Sequence, residues 1–295
     1  MSPVRVRAPA KVNLWLEVLR RREDGYHDLS TLMLPLRVGD DVAVELRPTA
    51  EGITLSCEAE GVPADARNLA HRAAAAYLSR TGWETGVALS VLKRTPVGAG
   101  LGGGSSDAAA VLRVLNALAP HPLPLDALLE VGRSLGADVP FFVLGVPALA
   151  TGIGEVLEPV SGLPAYPLVL ITPPVHVATG TIYRRLTLTR GTPRITLTAL
   201  LAGPWCLSPL MENDLESVTA SDHPVVSDIR GWLLENGALG ARMSGSGPTV
   251  FGVFRTPGEA ARTGALAVSA WPGCRVLVTE TAGSGPPSGG AAEGA

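Results

Sequence analysis

The segment Pro96-Val97-Gly98-Ala99-Gly100-Leu101-Gly102-Gly103-Gly104-Ser105-Ser106-Asp107 holds five glycines and ends on two serines and an acid. Before it, Val87, Leu89 and Val91 alternate as in a strand. After it, Val111, Leu115 and Leu118 share one face of a helix predicted over residues 107–118. A strand, a glycine loop and a helix start make a geometry that holds phosphate. Glycine lets the backbone turn through positive φ and bring N–H groups against an anion, and the helix start adds partial positive charge. That dipole contributes only about 0.3–1 kcal/mol at exposed sites. A bound ATP therefore also needs Mg2+ and a lysine to neutralise its charge. Ser105 and Ser106 can donate to phosphate oxygens, and Ser106 can also ligate the metal.

Two other phosphate loops are excluded. A Walker A loop ends in Gly-Lys-Ser/Thr, whereas Gly104 here runs into Ser105 with no lysine. Residues 98–103 satisfy GxGxxG, but a dinucleotide fold wants a second strand ending in an acid about twenty residues on. That region is the proline-broken Ala119-Pro120-His121-Pro122-Leu123-Pro124.

Outward from the loop, Val12, Leu14, Leu16 and Val18 alternate with Lys11, Asn13, Trp15 and Glu17. This predicts a strand with one buried face, Lys11 and Asn13 pointing off the core. Further strands are predicted at 42–46, 53–57 and 87–91, and helices at 68–80, 125–135 and 226–235. A second glycine run, Ser244-Gly245-Ser246-Gly247, precedes a strand at 250–254. Thr256-Pro257-Gly258-Glu259 is a capping box opening a helix that leads to a last strand at 274–281. The proline-rich stretch 159–174 marks a boundary, giving domains at 1–160 and 161–282. The Gly/Ser/Pro tail 283–295 is expected to be disordered.

The chain has 295 residues, 46% of them hydrophobic, and a net charge of −3. This favours two folded domains and a small-molecule partner over nucleic acid or a membrane surface. Cys57, Cys206 and Cys274 form no metal or disulfide pattern, and no signal peptide opens the sequence, so a cytoplasmic location is expected. Only Lys11 and Lys93 are lysines, against 22 arginines. A lysine kept at position 11 points to a compact ammonium beside a carboxylate and a reacting hydroxyl, where a guanidinium would not fit.

The glycine segment resembles the central motif of the GHMP kinases. Four other stretches extend the resemblance in order from about residue 8 to 254. They are Ala8-Pro9-Ala10-Lys11-Val12-Asn13-Leu14 with Gly25-Tyr26-His27, Gly136-Ala137-Asp138-Val139-Pro140, Asn213-Asp214-Leu215-Glu216, and Met243-Ser244-Gly245-Ser246-Gly247. The resemblance implies an α+β two-domain GHMP kinase fold: an N-terminal domain like ribosomal protein S5 domain 2 and a C-terminal ferredoxin-like domain, with the active site between them. It narrows to the branch that phosphorylates CDP-methylerythritol on its 2-hydroxyl with ATP and Mg2+, in the non-mevalonate route to isoprenoid precursors. The expected state is a monomer or weak homodimer.

By the same resemblance Asp138 is the catalytic base and Lys11 its partner. Pro96, Gly98, Gly100, Leu101, Gly102, Gly103, Gly104, Ser105 and Ser106 bind ATP, and Ser106 also takes Mg2+. Asn68 and Lys93 flank the adenine or ribose, although Asn68 is equally placed to cap a helix. Tyr26 stacks on cytosine opposite Tyr183, His27 bonds the base edge, and Asn13 and Thr179 contact the methylerythritol unit. Ser244, Gly245 and Ser246 pack a tight turn against the phosphate loop. The competing readings are another GHMP kinase acting on homoserine or a mevalonate derivative, a nicotinamide dehydrogenase, and a catalytically silent nucleotide-binding module.

Overall fold

Two long antiparallel strands, β1 (Val4–Arg21) and β2 (His27–Arg47), form the spine of the chain in a computed structural model that describes residues 2–48, 52–187, 196–198 and 207–283. Trp205, Cys206 and the expected disordered tail from 284 onward lie outside the described residues. β3 (Ile53–Cys57) and β4 (Gly86–Leu92) extend the sheet on one side of β2, and β5 (Ala148–Thr151) and β6 (Val156–Pro159) on the other, in the order β3-β4-β2-β5-β6 with β1 paired to β2.

The alternation of β1 predicts one buried face. The structure buries both, from Ala8 to Val18. The reason is a second cover: Ala10, Val12 and Leu14 pack on the second sheet, while Lys11 and Asn13 lie against the two glycine turns. The β1–β2 ladder is in step at Lys11, Val12 and Asn13 but shifts between Pro9 and Lys11 and again between Asn13 and Trp15. Such irregularities re-aim side chains relative to the sheet. Lys11 and Asn13 are 4% exposed each and sit under the glycine loop and the second sheet, not off the core.

Four helices cover the first sheet: α1 (Leu69–Thr81), α2 (Gly103–Leu118), α3 (Leu125–Leu135) and the short α4 (Val139–Leu144). Their apolar faces and the sheet share one core that includes Tyr77, Val111, Leu115 and Phe141. α2 opens at Gly103, four residues before the expected start. Glycine has low helix propensity, so periodicity cannot see this turn; docking of the loop holds it instead.

The second sheet runs β10-β7-β9-β8, from β7 (Pro167–Thr172), β8 (Gly240–Met243), β9 (Val250–Val253) and β10 (Arg275–Glu280), each pair antiparallel. Helices α5 (Thr179–Arg185), α6 (Glu216–Asp222) and α7 (Val225–Glu235) separate β7 from β8, and α8 (Pro257–Ala270) links β9 to β10. That strand order, with helical crossovers before β8 and before β10, is ferredoxin-like. The capping box at Thr256 and Glu259 forms as expected, each side chain bonded to the other residue's backbone N–H. Ala10, Val12 and Leu14 of β1 pack with Leu168, Leu170 and Phe251 of the second sheet in a shared apolar cluster. β1 therefore belongs to the cores of both halves.

Candidate active site

A cleft of about 730 Å³ opens where β1, the glycine loop, the start of α4, α5 and the second glycine turn meet, a size suited to a small-molecule ligand. At its inner end lie Lys11, Asn13 and Asp138. Asp138 is the N-cap residue of α4, yet its side chain makes no cap hydrogen bond. Its carboxylate therefore does not serve to cap the helix. The carboxylate is left to the cleft, 3.8 Å from the Lys11 ammonium. Lys11 donates a 2.6 Å hydrogen bond to Asn13 Oδ1, Asn13 donates to Thr31 Oγ1 at 2.8 Å, and Thr31 donates to the Trp15 carbonyl at 2.6 Å. Burial lowers the Lys11 pKa, and the charge of Asp138 opposes that shift.

The glycine loop is seated by backbone contacts. The Lys11 N–H donates to the Leu101 carbonyl at 3.0 Å, and the Ser244 hydroxyl to the Gly100 carbonyl at 3.0 Å. Gly98, Gly100 and Gly102 all take positive φ. At Gly100 a side chain is also sterically forbidden, because a Cβ would collide with the Ser244 carbonyl oxygen. At Gly102 a Cβ would lie 2.8 Å from the Phe142 ring. Gly102 is the N-cap of α2 and supplies no side chain, so the first amides of a 16-residue helix carry no side-chain cap. Helix-start amides left without a side-chain cap can receive an anion.

Gly98, Gly100, Gly102 and Ser105 line the cleft; Pro96, Leu101, Gly103, Gly104 and Ser106 do not. Leu101 is 1% exposed and anchors the loop in the shared core. The Ser106 hydroxyl is buried without a hydrogen-bond partner. Of the second turn, Gly245 and Ser246 reach the cleft, while Ser244 is buried behind it.

Asn68 and Lys93 are not among the cleft residues. Asn68 caps α1, accepting from the Ala70 N–H at 2.9 Å and donating to the Pro63 carbonyl at 2.8 Å, so both ends of its amide are engaged. Lys93 is held by the carboxylates of Asp40 and Asp107.

The outer end of the cleft is aromatic and basic. Tyr26 is 60% exposed. The ring against Tyr183 is that of His27, with centroids 5.2 Å apart, and not that of Tyr26. Burial first, then the charge of Arg21, lowers the His27 pKa. The Tyr183 hydroxyl is pushed up by burial and by Asp138. Thr179 Oγ1 shares a 2.7 Å hydrogen bond with Ser246 Oγ, which ties α5 to the glycine turn.

Sequence reasoning missed two arginines here. Arg20 and Arg22 pair with Asp28, Arg22 also with Asp24, and Arg185 with Asp222. Arg21 and Arg184 have no carboxylate partner among the described residues, and they are the two of the five that line the cleft. Nothing in the run Arg20-Arg21-Arg22 distinguishes its members until the strand fixes which way each one points.

Asn213 was also missed as a site-building residue. Its amide donates to the carbonyls of Met243 at 2.7 Å and Gly245 at 2.8 Å, clasping the second glycine turn. Asp214 receives the Val18 N–H of β1 at 2.8 Å, and Glu216 the Met243 N–H at 2.8 Å.

Residues 68–146 match the GHMP kinases N terminal domain, and residues 206–265 the GHMP kinases C terminal domain. The 4-diphosphocytidyl-2-C-methyl-D-erythritol kinase of Geobacter metallireducens is 46% identical over 88% of this chain and 92% of its own length. That of Pelobacter propionicus is 44% identical over 92% and 97%. A crystal structure of a 4-(cytidine 5'-diphospho)-2C-methyl-D-erythritol kinase superposes with a TM-score of 0.82 at 40% identity, covering 95% of this chain and all of that one.

Proposed function

The chain belongs to the 4-diphosphocytidyl-2-C-methyl-D-erythritol kinases of the GHMP kinase family, and from that premise we propose how its residues divide the work. The reaction moves the γ-phosphoryl group of ATP to the 2-hydroxyl of 4-diphosphocytidyl-2-C-methyl-D-erythritol, giving the 2-phosphate and ADP, in the non-mevalonate synthesis of isoprenoid precursors.

The observation that carries the residue assignment is the uncapped Asp138 carboxylate facing Lys11 beside the glycine loop. Asp138 takes the proton of the acceptor hydroxyl as its oxygen attacks phosphorus. Such a base contributes about 10²–10⁴-fold in rate. Lys11, aimed by Asn13 and facing that carboxylate, polarises the hydroxyl. The uncapped start of α2 and the amides of Gly98, Gly100 and Gly102 receive the phosphates, with Ser105 as a donor.

Mg2+ fits here. A Mg2+ ion accompanying ATP would bind largely through the nucleotide phosphates. Ser106, with its unpartnered buried hydroxyl, would hold it. When bound, Mg2+ supplies charge neutralisation at the triphosphate.

His27, Tyr183 and Tyr26 receive the cytosine, Arg21 and Arg184 the diphosphate, and Asn13 and Thr179 the methylerythritol unit. We assign the phosphate-loop domain to 1–160 and the C-terminal domain to 161–282, a division supported by the change of sheet between Pro159 and Pro167. The protein acts on this small molecule in the cytoplasm as a monomer or weak homodimer; no helix among the described residues is long and apolar enough to cross a membrane. The deciding experiment measures ADP release with CDP-methylerythritol, homoserine and mevalonate as acceptors. Turnover is expected with the first alone, and preference for either of the others would overturn the assignment.

A further inference from the structure

Behind the glycine loop lies a buried cluster of charge that the reaction scheme leaves unused. The Lys93 ammonium contacts the Asp40 carboxylate on β2 and, at 2.8 Å, the Asp107 carboxylate on α2. Asp40 is fully buried and tightly fixed. It accepts from the backbone N–H of Arg94 at 2.6 Å and of Thr95 at 2.7 Å, and from the Thr95 hydroxyl at 2.8 Å on the same oxygen.

The first residue of α2 rests directly on this cluster. A Cβ on Gly103 would meet Thr95 Oγ1 at 2.8 Å, Lys93 Nζ at 3.1 Å and Asp40 Oδ2 at 3.3 Å. Gly103 is thus glycine because the ammonium and its partners fill the space where a side chain would go. Asp107 Oδ1 has no hydrogen-bond partner. The Asp107 carboxyl is pushed up to about 6 by burial and by the charge of Asp40, against the pull of Lys93. The Cys57 thiol of β3 faces the same charges and is raised chiefly by burial, while Arg94 turns outward to Asp41.

Burying two carboxylates against one ammonium is a poor way to stabilise a fold, because desolvation offsets most of the attraction. Its return here is geometric. Asp40 is tied to the strand-to-loop backbone, Lys93 to Asp40, and Asp107 to Lys93, so the sheet fixes the height and rotation of the helix start through three side chains. We propose that Asp40, Lys93 and Asp107 are positioning residues for phosphoryl transfer. They set the first turn of α2 where its N–H groups meet the triphosphate, and Lys93 acts through that turn instead of touching base or ribose. The identity of the ligand rests on the kinase reading above; the mechanical linkage rests on the cluster.

The test uses the full chain and two variants, Lys93→Met and Asp107→Asn. Equilibrium binding of MgATP and of inorganic tripolyphosphate is measured for each, together with KM for the acceptor. Both ligands are expected to weaken by the same factor, about tenfold or more in Lys93→Met and less in the isosteric Asp107→Asn, with the acceptor KM unchanged. Weakened ATP binding with intact tripolyphosphate binding would overturn the proposal, because the ammonium would then act on the nucleoside. Unchanged affinity for both ligands in a folded variant would overturn it too, because the cluster would then serve the fold alone. Should Lys93→Met fail to fold, Asp107→Asn decides between these outcomes. Wild-type turnover of CDP-methylerythritol is measured separately, so an error about the acceptor shows there and leaves the binding result standing.

Discussion

The ammonium of Lys11 stands 3.8 Å from a carboxylate oxygen of Asp138 while donating a 2.6 Å hydrogen bond to Asn13, two residues along its own strand. The cation facing the base is thus held in place by β1 and not by the base. Asp138→Asn is therefore expected to leave the site assembled and remove only the proton acceptor. Turnover should fall by about 10²–10⁴-fold while ATP affinity stays within about twofold. Single-turnover kinetics with parallel ATP binding check this. Near-normal turnover, or ATP affinity lost in step with it, would contradict the role.

Asn13 links Lys11 to Thr31 inside a region only a few per cent exposed. Removing its amide leaves the Lys11 ammonium with one fewer acceptor and Thr31 Oγ1 with one fewer donor. Asn13→Ala should lower stability by about 1–3 kcal/mol, the cost of stranding buried polar groups. It should also lower kcat without raising KM for ATP, since no nucleotide contact is assigned to it. Denaturant melts and steady-state kinetics on the same preparation separate the two effects.

Two loop glycines offer a matched comparison. Gly98 and Gly100 have φ of 65° and 77°, so alanine strains both backbones, by about 1–2 kcal/mol for a left-handed residue. A Cβ at Gly98 meets nothing within 4 Å, whereas one at Gly100 strikes the Ser244 carbonyl. Gly100→Ala should therefore push the phosphate loop off the second glycine turn and abolish measurable ATP binding, while Gly98→Ala loses only part of it. Equal effects in isothermal titrations would show that backbone strain, and not docking, governs the loop.

How much of this was legible in the chain follows from how local each feature is. The loop and Lys11 stand out because glycine spacing and the rarity of lysine are read directly from the residues, whereas Asp138 is singled out only through the family resemblance. The start of α2 at Gly103 is illegible, because the four positions Gly103, Gly104, Ser105 and Ser106 carry no periodicity, and the packing of Gly103 against Thr95 and Lys93 is a tertiary contact. Burial of both faces of β1 depends on a second sheet more than 150 residues away in sequence. Asn213 reads as a motif residue without a task until Met243 and Gly245 are brought beside it. The pairing of Tyr183 with His27 depends on where α5 docks, and no spacing rule supplies that.

The two arginines of the cleft mouth, Arg21 and Arg184, are expected to separate by pH. The lowered His27 pKa has two causes, burial first and the Arg21 charge second. A histidine whose folded pKa is depressed binds its proton less readily than in the unfolded chain. Its contribution to stability is therefore present above the unfolded value and lost as pH falls through the folded one. Neutral His27 should bind the cytosine edge, so acceptor KM should hold steady on acidification until that lowered pKa is reached and then rise. Arg21→Gln removes one lowering cause, which moves the break in KM upward towards the ordinary histidine value. It also removes a cation for the diphosphate, which raises KM at every pH. Arg184→Gln should show only the second effect, because the His27 shift does not depend on it. Acceptor KM for the three proteins between pH 5 and 8, with KM for ATP as control, reads both effects. A shifted break in Arg184→Gln, or none in Arg21→Gln, would sever the link between Arg21 and His27.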